Sequence, residues 1–474
     1  MLKTQILQNL QQIEAIIPRC RILAQQAQSY IPFHQFEVWL TWWENFHSLA
    51  PFDFGKRRGR NFIGSQSTVK DLIMISAENN DHLVGVLPLV LVEAKIAGEK
   101  TPRKILTFPG DSVLIPYQDI LVHPDDWEKI VSILFKAAVS ISREMNAFLF
   151  LSYIPDNSPH IDFLKNKLGA YIDNGYEGAF LKNRRRGGVH PWTLDSLTYY
   201  VKKLTEKGNA TELAELCNDL DKTTAATLLF PKTRLALQRR IESALKAVAA
   251  NELVADEIRN IRGLLEPADI VYPYLKLPNS IDNYLSSLSK GTRRYFRRYR
   301  KQFIEQGGSF EKLTGEQITE KDIEDYLDLH FQRWHEESAA LNEATRAFHF
   351  ESNLKMAGLN QFTLFFAKHD GKRIAAHSCF DIGKRREGYF TGRDPEKEEL
   401  RAGRLLYMET ILDAIEEGFT EYNFGYGGDS YKLSFTDTVG KTVHFLLAEK
   451  GEMPDLEKLY PKYELLDLNA EGQG

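Results

Sequence analysis

Two hydrophobic rhythms alternate along the chain. Phe36, Trp39, Trp43 and Phe46 recur at spacings of three and four, the period of a helix that docks an aromatic face on a core. Leu72 to Ser76 and Leu83 to Glu93 flank the turn residues Asn79-Asn80-Asp81 and read as a hairpin, with the second strand kinked at Pro88. Ile105 to Phe108 and Gln118 to Val122 form a second extended pair, a helix runs from Pro124 to about Met145, and Phe148 to Tyr153 is a buried strand. The same order returns later. Phe362 to Lys368, Arg373 to Ile382 and Gly388 to Thr391 make a meander with turns at Asp370-Gly371 and Lys384 to Glu387; a helix follows from about Arg404 to Glu417, and Glu421 to Phe424 is the next strand.

A hairpin or meander, a helix and a strand, met twice, predict a tandem of two related α/β halves. Between them the strand rhythm stops. Thr193 to Leu204, Thr211 to Leu220 and Thr223 to Leu264 are rich in Leu, Ala, Lys and Glu, which makes this stretch an all-helical insertion with no visible catalytic pattern. The expected organisation is an N-terminal half over 1–183, the insertion over 184–266 and a C-terminal half over 267–474.

Composition narrows the class. A hydrophobic fraction of 43% in 474 residues excludes a disordered chain, and 60 Lys and Arg against 65 Asp and Glu give a net charge of −5, from which no partner follows. The densest apolar stretch, Leu83 to Val92, is about half of a bilayer span, so no transmembrane helix is expected. Cys20, Cys217 and Cys379 are too far apart for a disulfide framework or a thiolate zinc site, and no metal centre is expected. Met1 to Gln28 lacks the apolar core of a signal peptide and reads as an amphipathic helix, consistent with a cytoplasmic protein.

Local chemistry is more informative than net charge. Lys290 to Lys301 holds seven basic residues and no acid. On a helix it aligns Arg293 and Arg297, with Arg294 and Arg298 beside them, as a face for phosphates of a nucleotide, a phospholipid or tRNA, or as a solvated face. Arg401-Ala402-Gly403-Arg404 lies where a loop becomes a helix, a setting for a pyrophosphate cradle or merely a tight turn. Gly427-Gly428-Asp429-Ser430-Tyr431-Lys432 places a carboxylate, a phenol and an amine after a strand, where they can serve an oxyanion or form a loop salt bridge. His377, on an alternating strand, is a candidate general base or a structural histidine.

Several of these pieces occur in one order: Ser286 to Arg298, Leu329-His330-Phe331-Gln332-Arg333-Trp334, the Gly371 hairpin with Ile374-Ala375-Ala376, Ala402-Gly403-Arg404-Leu405-Leu406, Glu417-Gly418 and Gly428-Asp429-Ser430-Tyr431-Lys432. The series resembles the acetyltransferase-like domain of FemAB-type and CelD-like proteins of the GNAT superfamily. Phe36 to Trp43 and Val84 to Leu89 are similar to the opening segment of the same bacterial proteins. The resemblance implies two tandem GNAT-like halves, each a mixed, mainly antiparallel sheet with flanking helices. It also implies transfer of an acyl or aminoacyl group to an amine or hydroxyl of a cell-envelope or polysaccharide precursor. On that basis Lys432, Tyr431, Asp429 and His377 are the catalytic candidates, Arg401, Gly403 and Arg404 hold the donor phosphates, and Arg293, Arg294, Arg297 and Arg298 form a wider anionic-ligand surface. Arg401 to Arg404 keeps one glycine of the fuller loop of acetyl-CoA-using relatives. The donor classes are therefore acyl-CoA, acyl carrier protein and aminoacyl-tRNA, with peripheral membrane contact also open. Two other readings remain: a non-catalytic GNAT-like scaffold, and nucleic-acid binding through Lys290 to Lys301.

Overall fold

In a computed structural model, residues 2–27, 29, 31, 34–47, 67–94, 99–110, 115, 117–185, 188–189, 193–208, 211–224, 227–229, 231–266, 268–334, 343–428, 430–454 and 463–465 are described. The N-terminal part runs β1 (Leu2–Leu7), α1 (Leu10–Gln26), α2 (Phe36–Phe46), β2 (Ser67–Asn79), β3 (His82–Ala94), β4 (Arg103–Thr107), β5 (Leu121–Val122), α3 (Trp127–Glu144), β6 (Ala147–Pro155), α4 (Pro159–Asp173) and β7 (Tyr176–Arg185). Then come α5 (Leu194–Gly208), α6 (Thr211–Lys222), α7 (Pro231–Val248), α8 (Ala255–Leu265) and the short β8 (Ala268–Asp269). The remainder is β9 (Val271–Lys276), α9 (Ile281–Ser287), α10 (Lys290–Glu305), β10 (Gly308–Thr314), α11 (Glu320–Trp334), α12 (Glu343–Gly358), β11 (Phe362–His369), β12 (Lys372–Ile382), β13 (Arg385–Arg393), α13 (Ala402–Glu416), β14 (Glu421–Asn423), α14 (Ser430–Leu433), β15 (Val439–Glu449) and β16 (Tyr463–Leu465).

The chain divides into two compact units. One comprises 1–182, 271–426 and 435–474; the other comprises 183–270 with 427–434. In the larger unit a mixed sheet runs in the order β1-β2-β3-β4-β6-β15-β9-β14-β13-β12-β11-β10. The tandem is visible in its two parallel pairs. Lys104–Thr107 of β4 lie beside Ala147–Phe150 of β6, and Arg385–Glu387 of β13 lie beside Glu421–Asn423 of β14, each pair enclosing a helix in sequence. The other pairings along this order are antiparallel. β15 joins the halves, since over Val443–Leu447 it lies between β6 and β7 and over Val439–Lys441 it pairs with β9.

Local sequence explains most of these elements. Asn80 and Asp81 both take positive φ (48° and 65°), the conformation that a two-residue hairpin turn between right-twisted strands requires. β3 is not broken at Pro88. The proline falls between residues 85–86, which pair with β5, and residues 90–94, which pair with β4, where no ladder partner on that side calls for its missing N–H. The expected N-terminal helix is corrected: Leu2–Leu7 pair antiparallel with β2, and the helix begins only after Asn9, whose side chain accepts from the Gln11 amide. The expected turn at Lys384 to Glu387 is also corrected, because Arg385, Arg386 and Glu387 belong to β13.

The smaller unit is helical, with a core of Leu197, Val201, Leu204, Leu216, Ile241 and Ile261. Lys207 pairs with Glu257 at 2.8 Å and Lys202 with Asp221 at 2.8 Å on its surface. The larger unit holds a buried ionic hub instead. Arg386 is 0% exposed, donates from Nε and Nη2 to the Asp381 carboxylate at 2.7 and 2.9 Å, and reaches Asp413 at 2.5 Å and Glu417 at 3.1 Å. Its guanidinium also lies over the rings of Phe365 (5.1 Å) and Phe419 (4.7 Å). Removing one partner of a buried network leaves the others desolvated and uncompensated. Arg386→Met is therefore expected to lower the unfolding free energy by about 3–5 kcal/mol in urea titrations, and a loss below about 1 kcal/mol would show that the hub does not hold the fold.

Candidate active site

α13 starts at Ala402 behind Arg401, which takes the left-handed conformation (φ 56°), and no side chain caps it. No acid lies in its first turn, so the positive end of the helix is uncompensated from within. Gly403 is not demanded by internal packing, since a Cβ there would meet only the Arg393 Cδ at an ordinary 3.7 Å. The basic run forms α10 as expected, and its Ser289 hydroxyl caps it by accepting from the Thr292 amide. α10 packs beside α13 through Arg300, whose Nε donates to Glu409 at 2.5 Å.

This packing brings the two motifs together. The Arg401 guanidinium lies 4.1 Å from the Tyr299 ring centroid and donates to the Tyr295 hydroxyl at 3.3 Å, while Arg404 lies 4.5 Å from the Tyr295 centroid. Arg298 lies 5.4 Å from the Tyr299 centroid. Arg294, Arg297 and Arg298 are exposed and make no ion pair among the described residues. Arg293 is committed elsewhere. Its Nη1 donates to the carbonyls of Leu285, Ser286 and Leu288 at 3.1, 2.6 and 2.9 Å, tying the end of α9. The candidate anion surface thus loses Arg293 and gains two tyrosines. An uncapped helix start flanked by stacked guanidinium groups suits a diphosphate, so the residues present fit the nucleotide end of an acyl-CoA donor.

His377 is buried on the α13 face of the sheet, its ring 4.2 Å from that of Tyr407. Tyr431 and Lys432 lie in α14, with Lys432 buried, and belong to the smaller unit. Asp429 lies outside the described residues. The pyrophosphate candidates and His377 therefore share the larger unit, and Tyr431 and Lys432 do not.

A group not anticipated from sequence lies at the end of the β13–β14 pairing. Arg386 faces α13, so the alternation of a strand turns Arg385 and Glu387 to the opposite face. Glu387 is 2% exposed and lies opposite Asn423. Burial pushes its carboxyl up to about 7, with Arg385 at 3.1 Å pulling back and Glu421 adding to the rise. Beyond this pair the strands part. Two residues of β13, Tyr389 and Phe390, oppose the single Ser378 of β12 in a bulge, and the Ser378 hydroxyl accepts from the Phe390 amide at 3.0 Å. Gly425 (φ 71°) bends the other branch, where a Cβ would stand 2.6 Å from the Gly388 carbonyl oxygen. The fork thus leaves β13 from Gly388 onward unpaired with β14 and places a half-titrated carboxyl at its base. Perturbed carboxyls in such positions are characteristic of proton-transfer sites.

Residues 290–433 match the model of an acetyltransferase (GNAT) domain, and the sheet that holds them is mixed α/β with two parallel pairs of like construction. The match spans α10, the fork and α13. Among solved structures, L-PGS from Bacillus licheniformis is similar at 9% identity over 90% of this chain and 95% of that one, with a TM-score of 0.40. A tandem GNAT protein from the clavulanic acid biosynthesis pathway is similar at 11% identity over 95% of this chain and 100% of that one, with a TM-score of 0.36. FemX is similar at 9% identity over 79% and 87%, with a TM-score of 0.28. Likeness at this level carries no argument about substrate. No curated protein sequence matches.

Because the folded-state value of Glu387 lies above its ordinary 4.5, its contribution to stability is fully present below about 4.5 and is lost as pH rises through about 7. The stability of the protein relative to Glu387→Gln is expected to fall across that window and to be flat on either side. Parallel urea titrations of the two proteins between pH 4 and 9 check it, and a difference that rises with pH would contradict the assignment.

Proposed function

We propose that the protein is an acyltransferase in which the C-terminal half binds an activated, phosphate-bearing acyl donor and Glu387 takes the proton from the attacking amine or hydroxyl. The supporting observation is that one GNAT-matched span holds both a cation-flanked helix start and, at a strand fork, a buried carboxyl poised near neutrality. Direct attack needs a base whose pKa lies near the working pH, donors for the developing oxyanion and a fixed donor geometry. Glu387 supplies the first. β13 after Gly388 does not pair with β14, which leaves room beside it for the donor's acyl arm, and Arg401, Arg404 and the start of α13 hold the donor's phosphates. A coenzyme A thioester fits this set, and an acyl carrier protein or aminoacyl-tRNA presents related phosphates to the same cations. An envelope or polysaccharide precursor is the proposed acceptor. Among the described residues no helix is long and apolar enough to cross a membrane, and no group of three or more His, Cys, Asp or Glu is placed to hold a metal ion.

The test is transfer from a panel of acyl-CoA, acyl carrier protein and aminoacyl-tRNA donors. kcat/KM is expected to rise with pH through about 7, and Glu387→Gln to lose about 10²–10⁴-fold in kcat and the pH-dependent limb with it. The double variant Arg401→Ala/Arg404→Ala is expected to raise the donor KM by at least about tenfold with a smaller change in kcat. Donor binding without turnover would return the protein to the scaffold reading, and no donor binding in calorimetry would sink the proposal.

A further inference from the structure

The face that carries Glu387 continues across neighbouring strands as a row. Glu387 of β13 is in register with Asn423 of β14, and Asn423 with Tyr274 of β9. One step along the strands, Arg385, Glu421 and Lys276 form the adjacent row, linked by ion pairs of 3.4 Å between Arg385 and Glu421 and 2.5 Å between Lys276 and Glu421. Two carboxylates and two cations balance, so this patch exerts no net pull on a charged acceptor.

Asn423 is fully buried, and its amide has a defined orientation. Its Oδ1 accepts from the Gly425 N–H at 2.8 Å, which turns Nδ2 outward, and Nδ2 has no hydrogen-bond partner among the described residues. A buried amide donor without a partner is costly to the fold, and a bound acceptor atom would recover that cost. A second buried group without a hydrogen-bond partner among the described residues, the hydroxyl of Tyr117, comes from the N-terminal half. Its ring lies 4.9 Å from that of Tyr272, and it is within electrostatic reach of Glu387, Arg385 and Tyr426. Tyr274 and Tyr426 are half-buried and present aromatic surface beside the row.

We propose that Glu387, Asn423 and Tyr117 form an acceptor subsite for a neutral hydroxyl-bearing ring, a sugar, and that the acyl group is delivered to its oxygen. The inference rests on the acyltransferase reading above. Its logic is that of donors and acceptors. A hydroxyl oxygen accepts from Asn423 Nδ2 while its proton points to the Glu387 carboxylate on the neighbouring strand, at the paired position. An ammonium has no lone pair for Nδ2 and meets a patch already neutralised by Arg385 and Lys276. In the step itself the sugar oxygen forms a bond to the acyl carbon, its proton passes to Glu387, and the bond from that carbon to the donor's leaving atom breaks with its electron pair. Glu387 then returns the proton to the leaving group, so the enzyme ends unchanged.

The test measures, on the full chain, acetyl transfer from radiolabelled acetyl-coenzyme A to glucose, ribose and N-acetylglucosamine against ethylamine and cadaverine, together with sugar binding by saturation-transfer NMR. The sugars are expected to bind and to be the acceptors. Asn423→Asp keeps the Gly425 bond but replaces the donor with a second anion, and it is expected to weaken sugar binding at least tenfold with coenzyme A binding unchanged. If that variant fails to fold, Tyr117→Phe reads the same subsite, with at least threefold weaker sugar binding expected. Preferred acylation of the amines, undiminished sugar binding in the folded variant, or coenzyme A binding with no sugar bound would each overturn the subsite. Loss of binding for every donor would instead be a failure of the acyltransferase reading, and the NMR arm would still decide whether a sugar occupies the row.

Discussion

The buried guanidinium of Arg386 is the constraint from which the arrangement of the C-terminal half follows. It joins Asp381 of β12, its own strand β13, and Asp413 and Glu417 at the far end of α13. Lys312 of β10 adds a second cation to Asp413 at 2.8 Å, so the helix is held to strands on both sides of the meander. A buried charge tolerates little freedom, because any displacement that lengthens one pair leaves a desolvated ion unmet. The C-terminal end of α13 is therefore fixed on the sheet. Its N-terminal end, fifteen residues of rigid helix away, must present Arg401 and Arg404 at a set place over α10.

The same residue determines the opposite face. With Arg386 committed to α13, residues 385 and 387 have no choice of side, and a carboxylate is forced into an interior where Tyr117, Tyr272 and Tyr389 are packed. Burial and the nearby Glu421 favour the neutral form, and Arg385 favours the ionised one. The balance near neutrality is the outcome of two opposed and individually large effects. Neither alone would make a base: desolvation unopposed would keep the group protonated, and a lone arginine would make it too acidic to take a proton.

Sequence pattern conveyed those features whose causes are local. The aromatic spacing of α2, the hairpin at Asn80-Asp81, the meander and the basic helix α10 each depend on residues within a few positions of one another. Features whose causes are distant were not legible. Lys384-Arg385-Arg386-Glu387 has the composition of a solvated turn, and only the carboxylates of Asp413 and Glu417, some thirty residues on, make it strand interior. Leu2–Leu7 reads with the helix that follows because its strand partner, Ser67–Asn79, lies across a long interval. The Arg401–Tyr299 stacking was within reach of the sequence only in part. Both motifs were visible, but their meeting depends on the Arg300–Glu409 pair between α10 and α13. An arginine and a glutamate side by side within a buried strand register are the one signal that would have pointed to Glu387.

The two parallel pairs differ in what lies beyond them. In the C-terminal half β13 is left without β14 beyond Glu387, and Gly425 bends the other branch aside. In the N-terminal half the corresponding opening is taken by the chain itself: the Gln118 amide donates to the Tyr153 carbonyl at 3.1 Å, and Tyr153 holds an unfavourable positive φ of 57° opposite His444 in a bulge against β15. The segment that makes this bond is also the one that carries Tyr117 to within electrostatic reach of Glu387, so the N-terminal half supplies part of the wall around that carboxyl.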